Sequence, residues 1–176
     1  LGVGDTFTQS DIDTGWISYI HDDSENFADT FTFNISDGTD SVGPTTFNIF
    51  ITPVNEAPGV NAAGPFTVSE NASAGDAVFT VSAFDNDTGD SIANYAITSG
   101  NSELIFAINS TTGAITVSDP TLLDYEFGTS SYILTVEVTD TGSLTATQSF
   151  TVNVGDANDA PSFNPIQNIL SANPGV

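Results

Sequence analysis

The 176 residues are 39% hydrophobic, enough to build packed cores, yet they include 23 acids, no Lys, no Arg and no Cys, for a formal charge of −23. Recognition of nucleic acid or of an anionic membrane surface needs basic side chains, disulfides and thiolate metal sites need Cys, and a membrane helix needs about 20 apolar residues in a row; the chain has none of these. With no Lys or Arg to pair with, its carboxylates must be solvated, hydrogen-bonded or bound to a cation, and unneutralised they oppose compaction.

Taken in chain order, the elements are strands. Alternation is clear in Thr30–Ile35 and in Thr46–Ile51, with Asp37-Gly38 as a turn between them. A second set follows at Val78–Val81, Tyr132–Val138 and Ser149–Val154, punctuated by Thr88-Gly89, Thr112-Gly113 and Thr141-Gly142. Phe, Val, Ile and Thr suit a pleated, half-buried surface. Short strands separated by turns at this spacing predict a β-sandwich. Helical periodicity is limited to a single turn near Thr121 to Tyr125.

The chain repeats itself. Ile35-Ser36-Asp37 and the later Val54-Asn55-Glu56-Ala57-Pro58 match Val138-Thr139-Asp140 and Ala157-Asn158-Asp159-Ala160-Pro161 without a gap. The offset of about 100 residues is that of one sandwich domain. This divides the chain into residues 1–56, the C-terminal half of one repeat; 57–161, a complete repeat; and 162–176, the start of a next repeat or an exchanged strand. No leader-like segment opens the chain at Leu1, and we expect a fragment or processed piece. A half sandwich exposes a core face and unpaired strands. Truncation is one explanation, and completion by another chain is the alternative.

The complete repeat carries four acidic motifs in order: Glu70 in Val68-Ser69-Glu70-Asn71, Asp85 and Asp87 in Asp-Asn-Asp, Leu123-Asp124-Tyr125-Glu126, and Asp156-Ala157-Asn158-Asp159-Ala160-Pro161. Asp140 follows the strand 132–138, and Phe106-Ala107-Ile108-Asn109 precedes Thr112-Gly113. Residues 66–163 thereby resemble a cadherin repeat, of the kind found in bacterial surface proteins. Residues 5–58, with Asp11-Ile12-Asp13-Thr14-Gly15-Trp16 and the later Ser36-Asp37-Gly38, resemble the cadherin-like repeat of chondroitin-sulfate-proteoglycan type. Large adhesins mix the two.

The resemblance implies an all-β chain of Greek-key sandwiches, immunoglobulin-like or cadherin-like, arranged end to end. It also implies Ca²⁺ sites at the joints between successive repeats. Ca²⁺ takes 6–8 oxygen ligands at roughly 2.3–2.6 Å. Glu70, Asp124, Glu126, Asp156, Asn158 and Asp159 would supply one joint. Asp23, Asn55, Glu56, Asp85, Asp87 and Asp140 would supply the other, with Asp22 beside Asp23 and with Asp11 and Asp13 as weaker candidates. Five carboxylates at one joint repel unless a cation neutralises them, so the joint should stiffen when calcium binds. The linkers lack the extra Asn that the cadherin pattern places after its Asn-acid pair, and Pro53-Val54 stands where the second linker has Asp156-Ala157; both changes reduce the expected ion count.

The expected function is a calcium-rigidified spacer or adhesion segment of a large cell-surface protein outside the cell. Its partners would be neighbouring repeats of the same or identical chains, and other cell-surface proteins or glycans, with no nucleic acid and no membrane insertion. One alternative is an extracellular filament subunit completed by strand exchange through residues 166–172. Another is a glycan-binding module using Trp16. Catalysis is not expected: the paired acids sit in metal-like clusters rather than a cleft, and a nucleophilic triad needs a His base where His21 is the single histidine. His21 is expected to be structural, and Trp16 to pack in or beside the core. The Asn-x-Ser/Thr sequons at Asn34, Asn71, Asn86 and Asn109 are no more than the composition yields by chance.

Overall fold

The computed structural model of the chain describes residues 2, 4–22 and 24–159. Its described residues divide into two compact units: those up to 56 with 86–89, and 57–85 with 90–159. The proposed third segment, 162–176, lies outside the described residues.

The first unit contains a helix, α1 (Gln9–Asp13), and two antiparallel strands, β1 (Ala28–Ser36) and β2 (Ser41–Phe50). The helix was not expected. Thr8 and Asp11 form a reciprocal capping box that satisfies its first amides, a strong start signal. Asp11 accepts from Thr8 N at 2.7 Å and from Thr8 Oγ1 at 2.8 Å, and these bonds hold its carboxyl below the usual range. Asp13 accepts from Gln9 Nε2 at 2.9 Å. The hairpin closes through Asp37, whose Oδ1 accepts from Thr39 N and Asp40 N, both at 2.9 Å, while Gly38 supplies φ +95°. Alternation places Phe31 opposite Phe47 with ring centroids 5.2 Å apart, and Phe33 tilts against Phe31 and Phe7. Phe31, Ile35, Val42 and Phe47 all remain exposed. Trp16 is 79% exposed rather than packed in or beside a core; the described residues of this unit offer one two-stranded sheet and no facing layer to enclose it. His21 Nε2 lies 3.0 Å from Asn26 Oδ1.

The second unit is a β-sandwich. One sheet runs β4 (Phe66–Ser69), β11 (Thr145–Gly155), β10 (Ser131–Asp140) and β7 (Ile92–Ser99). The other runs β5 (Ala77–Thr80), β9 (Ala114–Val117) and β8 (Phe106–Ile108), accompanied by a short pair of β3 (Gly59–Val60) with β6 (Ala83–Phe84). The helical turn anticipated near 121–125 is a 3₁₀ turn at Pro120–Leu122, capped by Asp119. β7 pairs with β10 and not with β8, so the chain crosses between sheets in Greek-key fashion.

The period-2 pattern builds the core. Leu134, Val136 and Val138 on β10, and Phe150, Val152 and Val154 on β11, are each at most 3% exposed. Ile115 and Val117 on β9, with Phe106 on β8, face them from the second sheet. Phe66 stacks on Phe79 at 3.9 Å, and Phe79 packs against Phe150 at 5.3 Å. The next inward position of β10 after Val138 is Asp140, 1% exposed, whose Oδ1 accepts from Leu144 N at 2.8 Å.

Candidate metal centre

β4 pairs in parallel with β11, with Ser69 opposite Gly155. Both strands therefore end at one pole, and the residues that follow them, Glu70 and Asp156, emerge side by side. Glu70 N donates to Gly155 O at 3.1 Å, continuing the ladder one step further. β10 runs antiparallel to β11, with Ser131 opposite Asn153, so the 123–128 loop that enters β10 arrives at the same pole. Three segments far apart in sequence thus converge through strand register alone.

At that pole the carboxylate oxygens of Glu70, Glu126 and Asp156 lie within 4.8 Å of one another. Glu70 is 9% exposed and anchors the group. Its Oε2 accepts from Tyr125 N at 2.8 Å and its Oε1 from Ala157 N at 2.5 Å. These two amides hold its carboxyl below the ordinary 4.5, because they stabilise the charged form. Glu126 is pushed the other way, above 4.5, first by partial burial and then by the neighbouring Glu70 carboxylate, with Asp159 and Asp156 adding to the repulsion. Two acids of one type are thereby split by environment: one charge is held by two backbone amides, and the other faces like charges.

The other candidates of this pole are not all drawn in. Asp124 Oδ1 accepts from Phe127 N at 2.7 Å and its carbonyl from Gly128 N at 2.9 Å, so it shapes the loop and is not one of the three clustered acids. Asn158 Nδ2 donates to Asp159 O at 3.4 Å, and both residues are exposed.

A second group lies in the first unit: the carboxylate oxygens of Glu25, Glu56 and Asp87 also fall within 4.8 Å of one another. Asp87 Oδ2 accepts from Glu56 N at 2.8 Å, and Glu25 Oε2 from Thr88 N at 3.4 Å. Glu25 was not among the sequence candidates. The internal repeat aligns it with Gly128, so no motif marked it, and the loop before β1 places it by a different path. Asp23 lies outside the described residues, and Asp22 is engaged by Ser24 N at 3.2 Å. Asn55 precedes Glu56 in the first unit, whereas Asp85 and Asp140 belong to the second; Asp140 is not one of the acids gathered in these two groups.

The donors suit a hard dication. Two oxygens on one Ca²⁺ at roughly 2.3–2.6 Å stand at most about 5.2 Å apart. A spread of 4.8 Å is compatible with a shared ion. All the donors are oxygen, as calcium prefers.

The model of the Cadherin domain matches residues 65–155, and that of a Cadherin-like domain matches residues 2–51. The chain belongs to the cadherin family. Over 88% of its length it is 37% identical to mouse Protocadherin Fat 4, and over 82% it is 34% identical to mouse Cadherin EGF LAG seven-pass G-type receptor 2. It spans only 3% and 5% of those proteins, respectively. Among solved structures, Drosophila N-cadherin EC1-3 superposes with a TM-score of 0.51 at 25% identity, covering 64% of this chain and 39% of that one. Protocadherin Gamma B7 extracellular cadherin domains 1-4 superpose with a TM-score of 0.57 at 21% identity over 75% of this chain and 33% of that one, a likeness of fold alone. The Cadherin match takes in Glu70 and Glu126 and ends one residue before Asp156, whereas of the Glu25–Glu56–Asp87 group Glu25 falls inside the Cadherin-like match and Glu56 and Asp87 fall beyond its end.

Proposed function

We propose that this chain is a calcium-binding repeat segment of a large extracellular adhesion protein, stiffened by the ions it holds. The observation that carries the reading is the Glu70–Glu126–Asp156 group, built by strand register in a chain without a single Lys or Arg to neutralise it. Calcium bound there would supply the missing positive charge. The chain's own residues do the rest. Tyr125 N and Ala157 N fix Glu70, so the site has one preset member. Glu126 and Asp156 come from the 123–128 loop and from the segment leaving β11, so a shared ion ties those two segments to the end of β4. Asp124, Asn158 and Asp159 are the neighbouring oxygen donors available to complete 6–8 ligands. Stiffening residues 156–159 turns a hinge into a spacer, which is how a linear array of repeats transmits length and force.

The Glu25–Glu56–Asp87 group would serve the same purpose in the first unit. Asn55, Asp85 and Asp140 are assigned to the same chemistry on the cadherin resemblance. The proteoglycan-type features of residues 5–58, next to a cadherin domain and in a chain devoid of basic residues, favour the setting of a bacterial-type surface adhesin. Adhesion through neighbouring repeats or identical chains is the partner reading that goes with it, and an extracellular, cell-surface location follows. No helix among the described residues is long and apolar enough to cross a membrane.

A calorimetric calcium titration, reversed with EGTA, tests the proposal. Saturable binding that Asp124→Ala plus Glu126→Ala reduces at one site supports it. An unchanged titration in that double variant would remove the assignment of this pole.

A further inference from the structure

Away from the acidic pole, the second unit has a cleft of about 280 Å³ between the 100–105 loop and the start of β10, lined by Gly100, Asn101, Ser102, Glu103, Thr129 and Tyr132. Ile105, 2% exposed, also lines it. It falls just under the 300–1,000 Å³ of ordinary small-molecule pockets, room for one short side chain or functional group.

The walls are preorganised. Asn101 is spent internally, its Nδ2 donating to Phe106 O at 2.7 Å and its Oδ1 accepting from Phe106 N at 3.0 Å. Gly100 sits at φ +82° with Ile133 O against the position a Cβ would take, so the loop is pressed onto β10. The Tyr132 ring meets Phe106 edge-on at 5.4 Å, and its hydroxyl donates to Leu122 O at 3.3 Å. Thr129 also bonds that hydroxyl, and the Glu103 carboxylate is near enough to act on it electrostatically. One amide hydrogen of Asn101 and the phenol proton are therefore already used. The charged group in the lining is the Glu103 carboxylate, an acceptor without donors, and it stands beside the aromatic ring of Tyr132. The matching ligand is donor-rich, cationic and compact. An ammonium group has three donors and no acceptor and is attracted by an aromatic ring, and the field of a chain of charge −23 concentrates it.

We propose that this cleft receives a primary alkylammonium group presented by a molecule other than a second copy of this chain. The last clause follows from composition: the sequence has no lysine side chain to offer, and two copies would meet as like charges. The inference does not rest on the calcium reading, because none of the lining residues belongs to the acidic groups described above.

The test is an amide-resolved NMR titration of the full chain, kept in millimolar calcium at fixed ionic strength, with n-butylammonium chloride and, separately, with neutral N-butylacetamide. Saturable shifts confined to 100–105 and 129–132 with the ammonium compound alone are expected. Glu103→Gln should weaken binding about threefold to fivefold, the worth of one solvent-exposed ion pair, without changing Tm. Asp37→Asn, in the hairpin turn of the other unit, should leave it unchanged. A lysine-containing tripeptide binding more tightly than spermidine would point to a protein partner, and the reverse order to a free polyamine; both support the site. Shifts spread over the acidic surface, equal shifts with N-butylacetamide, an unaffected Glu103→Gln variant, or no saturation would each overturn the proposal.

Discussion

Replacing Glu126 by Gln should move the stability of the calcium-free and calcium-bound protein in opposite directions. In the free protein Glu126 is a carboxylate pushed above 4.5 by partial burial and by Glu70, Asp159 and Asp156. Its charge therefore opposes folding above about pH 4.5, and that penalty is relieved as pH falls through its raised folded value. Gln removes the repulsion, so the variant should melt higher than wild type in EGTA at neutral pH. Calcium reverses the order. A ligand at a hundred times its Kd stabilises by about 2.7 kcal/mol, and a domain of roughly 100 residues such as the second unit gains about 4–8 °C per kcal/mol. Wild type should then rise by about 11–22 °C, while Glu126→Gln, having lost one of the three clustered oxygens, should keep only a small part of the increment. Differential scanning calorimetry of both proteins, with EGTA and with calcium at matched ionic strength, reads all four melts. If the variant melts lower than wild type in EGTA, the electrostatic account of the pole is refuted; if it retains the whole calcium increment, the ligand assignment is refuted.

The pH profile of the free protein carries a second sign. Glu70 is held below 4.5 by Tyr125 N and Ala157 N, so its contribution is full above about pH 4.5 and lost as pH falls through its lower folded value. Titrating downward from neutrality, Tm should hold or rise until Glu126 is protonated and fall only below about 4.5; a monotonic fall beginning near neutrality contradicts this. Glu25→Gln should lower calcium stoichiometry in a calorimetric titration, whereas Asp22→Asn should not, since Glu25 and not Asp22 lies with Glu56 and Asp87. Phe150→Ala, which deletes a ring 1% exposed and packed on Phe79, should cost about 3–5 kcal/mol in urea denaturation of the second unit. Gly100→Ala should cost about 1–3 kcal/mol from its positive φ alone, and more because the Cβ position is occupied by Ile133 O.

Much of this was readable without coordinates because it is one-dimensional. Period-2 alternation places Leu134, Val136 and Val138 inward, and it reads the same in a string as in a strand. The internal repeat and the ordered acidic motifs carried the family. They also named Glu70, Glu126 and Asp156, since each motif travels with a strand end. What the string did not contain is which acids meet. Asp124 is adjacent to Tyr125-Glu126 in sequence, yet its carboxylate turns to Phe127 N; Glu25 has no motif, yet its carboxylate joins Glu56 and Asp87. Those outcomes depend on loop paths and on the parallel pairing of β4 with β11. Such contacts between distant segments are set by packing and backbone hydrogen bonds that local pattern does not encode. The same holds for Trp16, whose type suggests burial and whose exposure reflects the absence of a facing sheet among the described residues of its unit. Composition alone left His21 as the one basic side chain available to these acids, and tertiary structure decided which of them stand within 4.8 Å of one another.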